Sequence, residues 1–284
     1  MQDVFPGTRR TKARHRKLVK SYGFLYTSLY LNLLRTFYGV IFLAFLFTRP
    51  ALGQSSESGQ FWTNYKFSHP FGNQWATELD ITGRFSDTPK NQSIFTTKSQ
   101  FGVRGWVHYH FSPRWRFSAS FAYFNNYYVP DISQENSNEF RYTLQGVYFF
   151  HKIEYTFSTR GRAEFRNIHD NENGIVNSFR YRQRVKYQKP LNSKSFRKGV
   201  FYILASDEIF FRVNATEDYN SFFDRNRMTL GGGYVINDNI QAELAYVNEF
   251  LPRSDQNEII HAFSISLTFN NLMAQLRKKL KKSE

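Results

Sequence analysis

A strict two-residue alternation of polar and apolar side chains recurs along most of this chain, and it constrains the fold more than any other feature. In "KIEYTFSTRGRAEFRN" one phase is Lys152, Glu154, Thr156, Ser158, Arg160, Arg162, Glu164 and Arg166, and the other is Ile153, Tyr155, Phe157, Thr159, Gly161, Ala163 and Phe165. Successive side chains of a β-strand point to opposite faces, so a period of two describes a sheet whose faces meet different surroundings. As one strand this run would be roughly 50 Å long at ~3.3 Å per residue, against a usual strand of about 5–6 residues. Either the strand is long or a turn interrupts it.

The alternation recurs at 61–68, 74–86, 99–111, 114–125, 139–150, 178–188, 200–214, 225–236, 239–250 and 258–269. No helical period competes with it. Short links such as "HPFGN", "FSPR", "FHK" and "NDN" take turns with longer polar ones at 87–98, 126–137, 167–177, 215–224 and 251–257, with 189–199 between the two classes. Short turns at one end and longer loops at the other are the asymmetry of a transmembrane β-barrel. The expected fold is therefore all-β, an antiparallel transmembrane barrel of about 10–12 strands. Residues 74–270 form the barrel, 54–73 an N-terminal segment or first strand, and 271–284 a basic tail. Bacterial barrels have an even number of strands with both termini on one side. That parity favours 74–86 as the first strand and leaves 61–68 as an inner or periplasmic strand, unless the count is twelve.

Composition fits this pattern. The chain has 31 Phe, 18 Tyr and 4 Trp, yet its mean hydropathy is negative, as expected where apolar and polar residues alternate. The absence of Cys excludes a disulfide framework and thiolate metal ligands. The formal charge of +15 is concentrated at the ends: residues 1–53 hold nine Lys/Arg against Asp3, and 277–284 hold five against Glu284. The body between is within three charges of neutral, a poor case for a nucleic-acid partner.

"RRTKARHRKLVK" (Arg9–Lys20), then "FYGVIFLAFLF" (Phe37–Phe47), then Ala51 and Gly53 supply the basic, apolar and small-residue parts of a secretory signal. Residues 1–53 are expected to be a basic extension plus signal peptide, cleaved before Gln54. The alternative is an uncleaved anchor over Tyr22–Phe47. Either places the remainder outside the cytoplasm, and the barrel pattern places it in a bacterial outer membrane.

The runs "FWTNYKFSHPFGNQWATELDITGRFSD", "WRFSASFAYFNNY", "FRYTLQGVYFF", "SFRYRQRVKYQKPL" and "RNRMTLGGGYVINDNIQAELAYVNEF" together resemble the DUF2490 family, a set of uncharacterised outer-membrane β-barrel proteins of Bacteroidetes-type bacteria. The resemblance covers roughly 60–270. It implies location and architecture, and supplies no activity and no site residues. The tail "AQLRKKLKKSE" departs from the family pattern, since barrels normally finish on an aromatic read by the assembly machinery, here Phe269.

The polar phase carries the candidate chemistry. Arg160, Arg162, Arg166, Arg180, Arg182, Arg184 and Lys186 lie on two neighbouring strands and are expected to form one basic wall of the lumen. Asp80, Glu78, Glu154, Glu164, Glu208 and Glu243 are in polar phase as well and are candidate acidic partners. Charged rings set ion selectivity in pores; the competing reading is a salt-bridged filling, because small barrels are largely filled by side chains. His108 and His110 share a face, but with no Cys and no carboxylate near them in sequence they suggest no metal. Outward His261 raises a membrane-embedded lipid hydrolase as an alternative. Gly231, Gly232 and Gly233 are not a phosphate loop, since no Lys or helix follows; in a strand they mark a bend or a close approach. The expected function is a small channel, ligand-binding or envelope-structural barrel without catalytic motif or cofactor. Its expected partners are outer-membrane lipid, the barrel-assembly machinery and a small anionic solute. A secreted lipocalin-like barrel is a further alternative, distinguished by whether the aromatics point outward or inward.

Overall fold

The computed structural model describes residues 55–129, 134–151, 154–170, 174–212, 222–253 and 256–271. Eleven strands are present among them: β1 (Ser55–Phe71), β2 (Trp75–Ser86), β3 (Thr97–His110), β4 (Trp115–Asn126), β5 (Ser137–His151), β6 (Thr156–Asp170), β7 (Gly174–Pro190), β8 (Phe201–Arg212), β9 (Phe223–Asn237), β10 (Ile240–Leu251) and β11 (Asn257–Asn270). Each pairs with its sequence neighbour, and β1 pairs with β11, so the sheet closes into a barrel. Every alternating segment of the sequence is a strand. The long run beginning at Lys152 resolves into a link and a strand, because β6 starts only at Thr156. The expected signal segment and basic tail lie outside the described residues.

The parity expectation fails. The segment 61–68 belongs to β1, a full member of the wall, and β1 runs parallel to β11 over Ser55↔Asn257 through Ser68↔Asn270. An odd number of up-and-down strands leaves the first and last pointing the same way, so closure must be parallel. Ser55 therefore lies at one mouth and Asn270 at the other. Parallel ladders are slightly weaker per residue, and side chains reinforce this one. Asn64 Nδ2 donates to Ser264 Oγ (3.2 Å) and Ser68 Oγ to Asn270 Oδ1 (2.8 Å), while Phe67 stacks on Phe269 at 5.1 Å.

The loop asymmetry is weaker than the sequence suggests. Links 72–74, 111–114, 152–155, 191–200 and 238–239 lie at one end, and 87–96, 127–136, 171–173, 213–222 and 252–256 at the other. The expected long link at 167–177 shrinks to 171–173, because the alternation continues through Ile168 and Val176 and extends both strands.

The strands are tilted. A row of direct partners that starts at Gly59 near the loop end of β1 passes His261, Asn248, Met228, Asp207 and Val185, and reaches Trp115, at the turn end of β4. Such stagger is what closing a sheet requires.

The two faces are sorted as the alternation demands, and the sense is the reverse of a soluble barrel. Leu79, Phe101, Phe121, Leu144, Phe165, Ile203, Leu230, Leu244, Phe263 and Ile265 are exposed on the exterior, while Arg141, Arg160, Arg162, Arg180 and Arg182 are buried inside. Aromatic pairs ring the turn end of the exterior, among them Trp75 with Tyr109 (4.7 Å), Trp115 with Tyr148 (4.9 Å), Phe150 with Phe157 (5.4 Å) and Phe201 with Tyr234 (4.5 Å). Nearer the loop end Tyr123 meets Phe140 (5.3 Å) and Tyr181 meets Phe211 (6.4 Å). Two such girdles flanking an apolar band match the exterior pattern that transmembrane barrels present to lipid.

The glycine run has the expected close approach. A Cβ on Gly233 would enter the Tyr202 ring, and one on Gly231 would meet the Leu244 carbonyl and lie 2.7 Å from Ala245 Cα. Backbone cannot yield as a side chain can. Gly231→Val is therefore expected to destabilise the barrel by about 1–3 kcal/mol, with Gly105→Val, which meets nothing within 4 Å, as the comparison. Denaturant titration of both refolded barrels checks this, and equal midpoints would refute it.

Candidate functional site

The interior is the candidate site. Strand alternation delivers the polar phase of every strand to it, so its composition follows from the sequence period. Register then decides which charges meet. Between β6 and β7, Arg160 lies beside Arg184 and Arg162 beside Arg182. Like charges directly opposite are destabilising unless something intervenes, and carboxylates do.

Glu164, fully buried, accepts from Arg180 Nη2 at 2.6 Å and Arg182 Nη1 at 2.8 Å, with Arg162 at 3.6 Å and Arg141 at 3.9 Å. Glu208 binds Arg182 through both oxygens at 2.9 Å and also takes Arg160. Glu139 holds Arg141 and Arg166, each at 2.7 Å. Asp224 accepts from Arg212 at 2.6 Å and Arg225 at 3.2 Å. Glu249 takes Arg225 at 3.3 Å and Arg227. Bidentate and shared guanidinium contacts are the strong form of this interaction. The chain of pairs runs along the wall from β5 to β10.

Aromatic rings are interleaved with it. Phe210, facing inward, has Arg182 at 4.4 Å and Arg227 at 5.0 Å over its ring. Trp62 carries Arg84 at 4.1 Å, Phe124 carries Arg141 at 4.3 Å, and Trp106 carries Arg162 at 5.0 Å. Rings that stack on guanidinium faces leave the in-plane N–H edges for anions.

All seven residues of the expected basic wall line the interior cavity. Of the expected acidic partners, Glu208 and Glu164 are in the network, and Glu243 lies 3.6 Å from Lys186 and accepts from Tyr202 Oη at 3.0 Å. Asp80 accepts from Trp106 Nε1 at 2.9 Å, and Glu78 sits 3.9 Å from His108 Nε2. Glu154 must be corrected: it precedes the first residue of β6 and is exposed in the link 152–155, so it faces no lumen. His108 does have a carboxylate near it, from the neighbouring strand, but among the described residues no group of three His, Asp or Glu is placed to hold a metal ion.

Sequence reasoning missed Arg84, Arg104, Arg116, Glu139, Arg141, Arg227 and Glu249. All lie in the inward phase of their strands, so the same alternation would have found them. Asp224 is a different case. The register slips between Phe210 and Phe211, leaving Asp224 as the extra residue beside Arg225, so two adjacent residues serve the interior.

The cavity has a volume of about 1630 Å³, and its lining reaches residues at both ends of the barrel. Its lining includes Gln134, Arg253 and Glu258 at the loop end and Gln188, Gln241, Thr268 and Asn270 at the turn end. Sixteen Lys and Arg line it against six carboxylates; adding buried Glu139, Glu164, Asp224 and Glu249 still leaves cations in excess. Arg84, Arg104, Arg116 and Arg184 have no carboxylate within 4.0 Å among the described residues, and the Nε of Arg104, Arg116 and Arg184 is buried without a partner. The surplus positive charge therefore has an address.

On the exterior, His261 Nδ1 lies 2.6 Å from Tyr246 Oη, and its Nε2 lies 3.9 Å from Glu57. The hydroxyl is a phenol. The serines of the two strands nearest it in register, Ser58 and Ser264, are buried on the inner face. Among the described residues this cluster contains no serine to act as the nucleophile that a lipid hydrolase of the expected kind requires.

Among known proteins, no curated sequence matches the chain. One solved structure, described as the NanC porin in a rhombohedral crystal form, aligns with 12% identity over 75% of this chain and 97% of that one, with a TM-score of 0.45. The family model described as "Protein of unknown function (DUF2490)" matches residues 59–259, most of the chain and nearly all of the barrel, and the chain accordingly belongs to the DUF2490 family.

Proposed function

We propose that this chain is an outer-membrane β-barrel whose lumen admits small anions. The observation that carries the reading is the interior cavity of about 1630 Å³, lined at both ends of the barrel, whose cationic lining outnumbers its carboxylates. The apolar exterior with its aromatic girdles supports the membrane location. The salt-bridged wall and the passage coexist: paired guanidinia brace β5–β10, while unpaired ones face the void. Insertion through the barrel-assembly machinery follows from that location.

The test is conductance of the refolded barrel in a planar bilayer, with the reversal potential taken across a KCl gradient. The expected result is steady conductance with a reversal potential of anion-selective sign. A folded, inserted barrel that passes no current, or passes cations preferentially, would sink the reading.

A further inference from the structure

Two polar side chains, Gln183 and Asp207, stand on the exterior among outward residues of their own strands that are apolar or aromatic. The outward phase of β8 is Phe201, Ile203, Ala205, Asp207, Ile209 and Phe211, and that of β7 is Tyr187, Val185, Gln183, Tyr181 and Phe179. Each polar residue sits mid-strand, between the aromatic girdles. A carboxylate facing hydrocarbon is costly, and such residues normally face other protein.

Their bonds point away from each other. Asp207 accepts from Asn226 Nδ2 on β9 at 2.7 Å. Gln183 Nε2 donates to Thr159 Oγ1 on β6 at 2.7 Å, and its Oε1 accepts from Tyr181 Oη at 2.7 Å. The register sets Val185 beside Asp207 and Gln183 beside Ile209, so Gln183 and Asp207 are diagonal neighbours that do not bond each other. One N–H of Gln183 and lone pairs of Asp207 are left over. The surroundings are low: Gly146 pairs with Gly161, and Ala163 and Ala205 flank the strip. Exposed Phe165, Ile203, Met228 and Leu230 share this face and add apolar contact area.

We propose that the β6–β9 exterior is the contact face of a homodimer, in which Gln183 of each copy donates to Asp207 of the other. The inference rests on the membrane reading. Two copies in one membrane share an orientation, so their twofold axis runs parallel to the barrel axis and sets β7 of one copy against β8 of the other at equal depth. The strand tilt carries β7 towards the turn end relative to β8 along a row of partners, and Gln183 lies two residues back towards the loop end, level with Asp207. Donor thus meets acceptor twice, as a self-complementary interface requires. The small residues let the walls approach.

The chain has no Cys, so single replacements report cleanly. Val185→Cys, between the two polar residues and 37% exposed, should link into a dimer of twice the chain mass in membranes treated with oxidant or a short bismaleimide. Leu79→Cys, on β2 across the barrel, should remain monomeric. Asp207→Leu should leave a folded barrel that inserts into vesicles and runs as a monomer in mild detergent, where the unaltered protein runs as a dimer. Folded, inserted Val185→Cys that links no more than Leu79→Cys would overturn the proposal, as would a linked product of any other mass. A chain that stays in solution without detergent would overturn the membrane reading itself, and the dimer with it.

Discussion

Glu164→Gln should cost the barrel about 3–5 kcal/mol of stability, the usual result of removing one partner from a buried ion cluster. Glu164 is fully buried and serves Arg180 and Arg182 directly, with Arg162 and Arg141 within 4 Å. Glutamine keeps the shape and one acceptor but removes the negative charge that all four guanidinia share, and it turns an N–H towards donors. Glu78→Gln is the comparison, since Glu78 is partly exposed and its His108 contact is 3.9 Å; it should stay near the roughly 0–1 kcal/mol expected of a solvated pair. Urea unfolding of vesicle-inserted barrels, followed by tryptophan emission, measures both. A Glu164→Gln loss below about 1 kcal/mol would show that the network does not brace the wall.

Arg104→Gln combined with Arg184→Gln should do the reverse, leaving stability nearly intact and lowering anion selectivity severalfold. Neither guanidinium has a carboxylate within 4.0 Å among the described residues, so removal orphans none of their anions. Each contributes its full charge to the passage. A unit charge 5 Å from a permeating ion in water is worth about 0.8 kcal/mol, or roughly a fourfold change in partition before screening. The reversal potential should therefore move towards zero, more at low salt than at high salt. An unchanged reversal potential would place the conducting path away from these side chains.

These two variants also show what the sequence made legible. The alternation found all eleven strands and the inward face of each, because a period of two is a property of one strand alone. It did not find the partners of Glu164, because Arg141, Arg162, Arg180 and Arg182 come from three strands and meet only through register and closure. Nor did it find the surplus charge. Residues 54–276 are nearly neutral overall, yet the fold sorts most of their cations to the interior, so net charge concealed a concentration that face-by-face counting would have exposed. Glu154 fell outside the lumen because alternation cannot mark where a strand begins: Tyr155 and Glu154 keep the phase of β6 but belong to the link before it. The even-strand rule misjudged β1, whose alternation from Phe61 to Ser68 was as regular as any other strand's.

Closure through parallel β1 and β11 also limits how the chain could be rewired. In an even-stranded barrel the two ends emerge at the same mouth, and a few residues suffice to join them for circular permutation. Here Ser55 and Asn270 belong to opposite mouths. A linker would have to climb the height of the wall, through the lumen or through lipid, spanning roughly 45 Å of extended chain alongside β11. Reordering this barrel by moving one strand from front to back would be blocked in the same way, because each displaced strand would arrive inverted. Only the removal or addition of a whole strand, restoring an even count, would make the order of the hairpins free to change.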